Sequence, residues 1–165
     1  VFTTLHTNDA AGTVARLTSL GAKASNIGSA INMAIAQRLV RKICKKCGKP
    51  VKISALNLKK IKKALRGLPR GIKVPRLAKD LKVFQVKGCK YCNFTGFRGR
   101  VGIFETFLIN EEMEKFILKA PSIAALRKEA IKKGMVTVQQ DGLVKALKGV
   151  TTIEEVERIT GPIKK

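Results

Sequence analysis

The sequence predicts a mixed α/β fold with a cysteine-rich middle segment and a group of helices at the C-terminal end. β-branched and aromatic residues form short strand-like runs in the first two thirds of the chain. All four cysteines fall into two Cys-x-x-Cys pairs, Cys44/Cys47 and Cys89/Cys92. After Asn110, helix caps precede apolar residues at intervals of three and four. These patterns place strands and cysteines before the final helices.

The composition is strongly basic. The chain has 165 residues, with 34 Lys and Arg against 11 Asp and Glu, so its formal net charge is +23. This cationic field predicts an anionic partner such as nucleic acid, phospholipid head groups or a nucleotide. No run approaches the roughly 18 apolar residues of a membrane span, and the first residues do not form a signal peptide. Because the chain begins with Val1 and not with methionine, we expect a piece of a longer protein.

The N-terminal part predicts the end of a strand and two helices. Residues 1–5 are β-branched and aromatic, as at the end of a strand. A helix then follows the candidate N-caps Thr7, Asn8 and Asp9 and stops at Gly21. A second helix is predicted over residues 25–42, because apolar residues recur there at every fourth position. The residues of this stripe are Ile27, Ile31, Ile35 and Leu39.

The remaining elements are predicted from caps, breakers and periodicity. Ser54 caps a short basic helix, and prolines and glycines make residues 67–75 a loop. Asn110 and Ser122 cap two further helices. The other predicted elements are strands over residues 83–86 and 100–108 and helices over residues 139–147 and 153–159.

The two Cys-x-x-Cys pairs predict a metal site. They are 41 residues apart, and four thiolates form the tetrahedral S4 site that structural Zn²⁺ prefers. Lysines inside and beside the pairs offset the negative charge of such a site. Two disulfides or a redox-active pair are the alternatives, but the chain has no export signal and a redox site needs only one pair. Iron in the same cage is the chemical rival of zinc.

The only histidine, His6, lies where the first strand is predicted to end and a helix to begin. In α/β proteins this position contacts ligands, and the helix N-terminus offers N–H groups to an anion. A locally hydrogen-bonded capping turn is the alternative. No Gly-x-x-x-x-Gly-Lys-Ser/Thr is present, and the glycine-rich residues 96–102 lack its Lys-Ser/Thr end. The chain is therefore not a complete P-loop ATPase.

Four ordered motifs resemble those of the type II secretion and type IV pilus assembly ATPases. The first is Thr4-Leu-His-Thr-Asn-Asp-Ala10, which is similar to the family's His box. The second is Ala36-Gln-Arg-Leu-Val-Arg41 before a Cys-x-x-Cys, and the third is the run from Gly88 to Glu105. The fourth combines Gln140-Asp-Gly-Leu with residues 149–158. Residues 51–83 carry no such pattern.

This resemblance implies the C-terminal part of a RecA-like P-loop ATPase domain with a tetracysteine zinc subdomain and a C-terminal helical bundle. It implies three segments, residues 1–43, 44–104 and 105–165. The parent would bind ATP and Mg²⁺ upstream, form a homo-hexamer, and contact an inner-membrane platform protein and a cytoplasmic adaptor. It would be cytoplasmic, peripheral to the inner membrane, and would drive pilin or pseudopilin assembly. The present segment alone is expected to be inactive, with zinc as its structural cofactor.

The resemblance also implies roles for single residues. It places His6 near the terminal phosphate of the nucleotide as the catalytic residue. Thr4, Arg38 and Arg41 are candidates for nucleotide or subunit contacts, although a solvated or ion-paired helix face explains the arginines equally well. Arg98 and Arg100 either support a subunit contact or solvate a turn, which leaves their roles open. They follow the second cysteine pair.

A basic amphipathic stretch and a second function stay open. Lys59, Lys62 and Lys63 accompany Leu58 and other apolar residues, which suits an anionic membrane surface, an acidic partner domain or a solvated face. The rival function is a basic zinc-ribbon-like nucleic-acid-binding module. Few aromatic residues interleave with the basic ones, so nucleic acid is the less favoured partner.

Overall fold

The computed structural model describes residues 1–163, and over these it contains seven α-helices and four β-strands. In chain order they are α1 (Gly12–Ser19), α2 (Ala24–Ala30), β1 (Met33–Ile43), β2 (Gly48–Lys52), α3 (Ala55–Ala64), β3 (Lys82–Val86), β4 (Phe97–Leu108), α4 (Glu111–Leu118), α5 (Ile123–Lys132), α6 (Val138–Leu147) and α7 (Ile153–Thr160). A single 3₁₀ turn, Lys90–Cys92, lies before β4. Within the described residues, every helix is too short or too polar to span a bilayer.

Two small sheets form, and the chain divides into two compact units. β1 pairs with β4, while β2 and β3 pair antiparallel with Gly48 opposite Val86. The first unit comprises residues 1–37 and 104–137, and the second comprises residues 38–103 with those from 138 onward. This division groups α4 and α5 with the N-terminal helices, and it groups α6 and α7 with the cysteine-rich segment.

The first unit is built around helices α1, α2, α4 and α5 and one face of β1 and β4. The two predicted caps are confirmed, because Asn110 accepts the N–H of Met113 at 3.0 Å and Ser122 accepts that of Ala125 at 3.2 Å. Each such cap stabilises its helix by about 1 kcal/mol. The buried core residues are Ala10, Ala11, Val14, Ile27, Ala34, Phe107, Met113, Ile117, Leu126, Ala130 and Met135.

The second unit packs α3 and the antiparallel β2–β3 pair against α6 and α7. Ser54 caps α3 by accepting the N–H of Asn57, as predicted. Gly142 of α6 allows α7 to approach closely, since a Cβ there would lie 2.8 Å from a methyl carbon of Val156. Gln140 donates from its amide to the Ala64 carbonyl oxygen at 3.0 Å and so closes the end of α3. The Gln-Asp-Gly motif therefore has a packing role.

Two predictions of secondary structure are wrong. Residues 25–42 do not form one helix, because α2 ends at Ala30 and β1 begins at Met33. In β1 the side chains alternate, so Ala34 and Val40 are buried while Ile35 and Leu39 are exposed. Residues 33–43 form a strand because they pair with β4, and the apolar periodicity of the sequence does not reveal this pairing. Residues 1–5 likewise do not form a strand, since no neighbouring strand pairs with them in the described chain.

Other predicted boundaries are close to those observed. The predicted strands over residues 83–86 and 100–108 correspond to β3 and β4, and the last two predicted helices correspond to α6 and α7. Gly21 follows α1 with a φ of +92°, which glycine adopts without strain. Strand β2 was not predicted, since its sequence contains Pro50 and three polar or glycine residues.

Candidate metal centre and nucleotide-associated residues

The four cysteine sulfurs lie close together in the second unit. The Sγ atoms of Cys44 and Cys89 are 3.9 Å apart, those of Cys47 and Cys92 3.8 Å, and those of Cys89 and Cys92 3.7 Å. All four lie within 4.8 Å of one another, so the group could hold a metal ion. A tetrahedral site with Zn–S bonds of about 2.3 Å has edges of about 3.8 Å. The arrangement therefore has the size of a closed S4 site.

Tight backbone turns bring the sulfurs together. The N–H of Gly48 donates to the Cys44 carbonyl oxygen at 2.9 Å, and the N–H of Phe94 donates to that of Cys89 at 2.9 Å. Gly88 has a φ of +87°, and a Cβ there would overlap the Phe94 backbone. Glycine is therefore required at this position, which explains its place directly before the second cysteine pair.

The electrostatics of the cluster favour a bound cation. Burial acts to raise the pKa of the Cys92 thiol, but the N–H groups of Cys89 and Gly96, both 3.2 Å from its sulfur, outweigh burial and lower the pKa to about 6. Burial and the neighbouring sulfurs raise the pKa of Cys47 to about 12. Without a cation, negative charge on one sulfur therefore opposes ionisation of the neighbouring sulfurs. A divalent ion removes this conflict, because it deprotonates the thiols that coordinate it.

A buried carboxylate ties the strand before Cys44 to helix α7. Glu155 accepts the guanidinium of Arg41 at 2.7 Å, the backbone N–H of Arg41 at 3.0 Å and two bonds from Arg158 at 2.8 Å each. Its side chain is fully buried. Burial acts to raise the pKa of Glu155, but the hydrogen bonds from Arg158 and Arg41 outweigh it and lower the pKa to about 2. Glu155 is therefore a fixed anion at neutral pH.

The residues before Glu155 complete this anchor. Thr152 caps α7 by accepting the N–H of Glu155, and Thr151 donates its hydroxyl to the Arg41 carbonyl oxygen at 2.8 Å. The N–H of Ile43, adjacent to the first cysteine, donates to the Val150 carbonyl oxygen at 3.0 Å. The Val-Thr-Thr-Ile-Glu-Glu motif thus holds the end of β1 in the position from which the first Cys-x-x-Cys turn begins.

A second buried carboxylate, Glu105, organises the segment after His6 in the first unit. Its Oε1 accepts the N–H of Ala10 at 3.1 Å, and its Oε2 lies 3.7 Å from the guanidinium of Arg127. Arg127 also contacts Asp9 at 3.0 Å, and Asp9 accepts the N–H of Gly12 at the start of α1. Two carboxylates and one guanidinium therefore fix the turn that leads from the histidine into α1.

The remaining predicted site residues lie on the surface or in ion pairs. His6 and Thr4 are exposed in the irregular segment before α1, and Arg38 and Arg41 belong to the second unit. Arg41 lies over the Phe97 ring at 4.3 Å besides pairing with Glu155, so the ion-paired alternative describes its state in this chain. Its proposed nucleotide or subunit contact remains a prediction, as do those of Thr4, His6 and Arg38.

The sequence leaves the roles of Arg98 and Arg100 undecided, and the structure shows contacts for Arg98. Arg98 stacks on the Tyr91 ring at 4.1 Å and donates to the Tyr91 carbonyl oxygen at 3.1 Å. Lys46 faces the same ring at 4.3 Å. The first and second cysteine turns therefore share an aromatic contact, worth about 0.5–1 kcal/mol per cation at an exposed site. Arg100 is exposed.

Sequence reasoning missed the three residues that organise these regions, Glu105, Arg127 and Glu155. A signal for one of them was present: Thr152-x-x-Glu155 is a capping pattern at the start of a helix. For Glu105 and Arg127 the partners are far apart along the chain; Asp9 and Arg127 are 118 positions apart. No local pattern identifies such a pair.

The mixed α/β fold and the four clustered cysteines define a chain with a candidate S4 metal site. The family model described as "Type II/IV secretion system protein" matches residues 1–158. The chain belongs to this family.

The chain is also similar to curated relatives over nearly its whole length. It is 36% identical over 162 residues to the type IV pilus assembly ATPase PilB of Myxococcus xanthus and 38% identical over 157 residues to that of Thermus thermophilus. It is 36% identical over 160 residues to the type II secretion system protein E of Aeromonas hydrophila. These matches cover 98%, 94% and 97% of this chain but only 27%, 16% and 29% of the three relatives. The chain thus spans less than a third of their length.

Proposed function

We propose that this chain is the C-terminal part of a hexameric motor ATPase that uses ATP hydrolysis to assemble pilin or pseudopilin subunits. The observation that carries the proposal is the 34–38% identity, over at least 94% of the chain, to relatives named as pilus assembly ATPases and type II secretion proteins. The parent would act at the cytoplasmic face of the inner membrane with a platform protein and an adaptor. ATP and Mg²⁺ would bind to a phosphate loop upstream.

In this proposal His6 senses the nucleotide. A neutral imidazole near the terminal phosphate donates a hydrogen bond that hydrolysis breaks, which suits a switch. The exposure of His6 supports this role, because among the described residues its side chain makes no hydrogen bond or ion pair and is available to a ligand. The fixed turn after it, held by Glu105 and Arg127, would transmit the change to α1.

An exposed apolar face of the first unit supports the view that more of the ATPase domain covers it. One face of β1 and β4 contributes Ala34 and Phe107 to the buried core. On the other face Met33, Ile35 and Leu108 are 43%, 55% and 67% exposed. Contiguous apolar surface of this kind marks an interaction site. We propose that it packs against the remainder of the RecA-like domain.

The metal in this proposal is structural Zn²⁺. All four ligand positions are cysteines, so the ion has no open position for water or substrate. Its role is to hold two backbone turns, and through β1 and α7 the rest of the second unit, in a fixed arrangement. Iron is the alternative that metal analysis decides.

The test uses the protein produced from the complete reading frame that contains this chain. We expect it to hydrolyse ATP, and we expect His6→Ala to lower kcat by about tenfold or more while the zinc content stays at one per chain. Lys23→Ala, at an exposed position of the same unit, is the matched control and should keep full turnover. Absence of ATP hydrolysis in the wild type would refute the motor, and full turnover of His6→Ala would refute the sensing role alone.

A further inference from the structure

A groove beside α3 in the second unit combines a basic rim with an apolar floor. It has a volume of about 580 Å³. Ile53, Ala55 and Leu58 line its floor. Its rim consists of six exposed cations, Lys52, Lys59, Lys62, Lys63, Arg66 and Lys79. Within residues 1–163, no acidic side chain lines it.

The rim cations are arranged so that they repel one another. Lys59 and Lys62 lie three residues apart on α3, at a spacing that brings helix side chains together, and Arg66 follows just after the helix ends. Lys52 and Lys79 add charge from outside the helix. Among the described residues, none of these five cations forms an ion pair. Residues 51–83 as a whole contain eleven basic residues and one acidic residue, Asp80, so the segment does not neutralise itself.

A ligand of this groove must match both features. Anionic groups reduce the repulsion along the rim, and an apolar stripe covers the floor and the methylene stems of the lysines. A flat bilayer surface would contact the basic rim of the groove without filling its concave apolar floor. A nucleic-acid backbone has no apolar stripe to cover that floor. An amphipathic helix with carboxylates on both sides of its apolar face presents negative charge to the rim and an apolar stripe to the floor.

We propose that the α3 groove, defined by the rim and floor residues above, binds an acidic amphipathic helix of a partner protein. The interaction does not depend on ATP hydrolysis or on the metal's identity. It gives residues 51–83, which lie outside the four motifs quoted above, a function of their own. Because the rim is exposed, electrostatic attraction should accelerate association and make the affinity depend strongly on salt.

The experiment measures fluorescence anisotropy of a labelled probe peptide with the zinc-loaded chain. The probe is an acidic peptide of about 20 residues with Leu at every third or fourth position and Glu at most others, and its scrambled version keeps the composition but loses the apolar stripe. We expect saturable binding of the patterned peptide and at least about tenfold weaker binding of the scrambled one, because burial of the stripe is lost. Equal binding of the two peptides would overturn the proposal.

Charge variants locate the binding site. Lys59→Glu/Lys62→Glu should weaken binding by about tenfold or more, while Lys119→Glu/Lys128→Glu, with the same change in net charge on the first unit, should leave it within about twofold. Ala55→Glu places a carboxylate in the groove at the first turn of α3, where the helix dipole favours it, so the variant should fold and yet bind weakly. Equal losses in both double variants would show a general charge effect and refute the groove.

Competitors distinguish other anions from the proposed partner. Vesicles of phosphatidylglycerol and phosphatidylcholine, and a single-stranded oligothymidine, are titrated against the bound probe. Weak competition supports the protein partner. Vesicles or oligothymidine that bind more tightly than the patterned peptide, and lose that binding in Lys59→Glu/Lys62→Glu, would assign the groove to a membrane or to nucleic acid and overturn the proposal.

Discussion

The two compact units differ in net charge and in how much of their surface is left exposed around their candidate sites. The second unit carries 26 of the 34 basic residues against five acidic ones, and its S4 cluster is built entirely from its own side chains. The first unit has eight basic and six acidic residues, an exposed histidine and an exposed apolar strand face. The second unit thus holds a closed cysteine cluster, whereas the first presents exposed surfaces that the proposed function would cover.

The closed site of the second unit has a physical origin in what packs around the cysteines. Around the cysteines, the buried cluster consists of Cys44, Cys47 and Cys92 with Cys89 beside them, and no large apolar side chain belongs to it. Hydrophobic burial there is small, so we expect metal binding to supply folding free energy to the cysteine turns. Away from the cysteines both units have apolar cores: the first buries Phe107, Met113 and Ile117 among others, and the second buries Leu58, Ile61 and Leu143 among others. The open strand face of the first unit marks where further chain is expected to pack.

The largest expected effect is metal loss, which should affect only one unit. Removal of zinc, or Cys47→Ser, should unfold the cysteine turns, because structural zinc contributes on the order of 10 kcal/mol in small sites. Hydrogen exchange should then lose protection in β2, β3 and the first part of β4 while α1 and α4 stay protected. Zinc content measured by mass spectrometry accompanies each sample.

Lys45→Ser, at an exposed position inside the same Cys-x-x-Cys turn, is the matched control and should keep both metal and protection. If metal-free protein retains the exchange pattern of the loaded protein in both units, the structural role of the metal is wrong.

A smaller effect is expected from the anchor between β1 and α7. Glu155→Gln removes the anion shared by Arg41 and Arg158 and should cost about 2–3 kcal/mol, since both arginines are partly exposed and retain water. Thermal melting should report a decrease of roughly 5–10 °C. Glu154→Gln, at the exposed neighbouring position, should melt like the wild type. Equal melting temperatures for the two variants would show that Glu155 does not stabilise the contact between β1 and α7.

The same carboxylate predicts a pH dependence. The pKa of Glu155 is lowered from its ordinary value of 4.5 to about 2 in the folded chain. A depressed pKa stabilises the fold above the ordinary value, and that stabilisation is lost as the pH falls from about 4.5 towards 2. Protonation of thiolates releases metal in acid as well, so the relevant quantity is the difference between wild type and Glu155→Gln. We expect this difference in melting temperature to shrink below pH 4.5, and a constant difference would contradict the assignment.

The smallest effect concerns the turn after His6 in the first unit. Arg127→Gln removes the cation between Asp9 and Glu105 and should cost about 1 kcal/mol, because the guanidinium is 43% exposed. Hydrogen exchange at the N–H groups of Ala10 and Gly12 should accelerate. Lys128→Gln, at the exposed next position, should leave both rates unchanged, and identical rates in the two variants would mean that Arg127 does not hold the turn.

The sequence predicted the parts that depend on local chemistry. The caps Ser54, Asn110 and Ser122 are confirmed because a cap acts within three residues of its partner. The cysteine cluster was predicted because Cys-x-x-Cys spacing already constrains two sulfurs. The last two helices were predicted from their own periodicity. All these signals lie within a few residues of the feature that they describe.

The parts that failed depend on partners far away in the chain. Ile31 and Ile35 satisfied a helical period, but residues 33–43 pair with β4, some sixty residues further on, and form a strand. Glu105 and Arg127 are ordinary charged residues until the fold brings them beside Ala10 and Asp9. The α3 groove likewise arises from Lys52 and Lys79 lying beside a helix from which they are separated in sequence.

The reading frame upstream of the Val1 codon tests the central claim most directly. The account predicts that it encodes Gly-x-x-x-x-Gly-Lys-Ser/Thr followed by a strand that ends in acidic residues, which would supply the ATP and Mg²⁺ site and a cover for the strand face of the first unit. A start codon immediately before Val1, or an upstream region without a phosphate-binding loop, would contradict the motor ATPase and favour a basic metal-binding module.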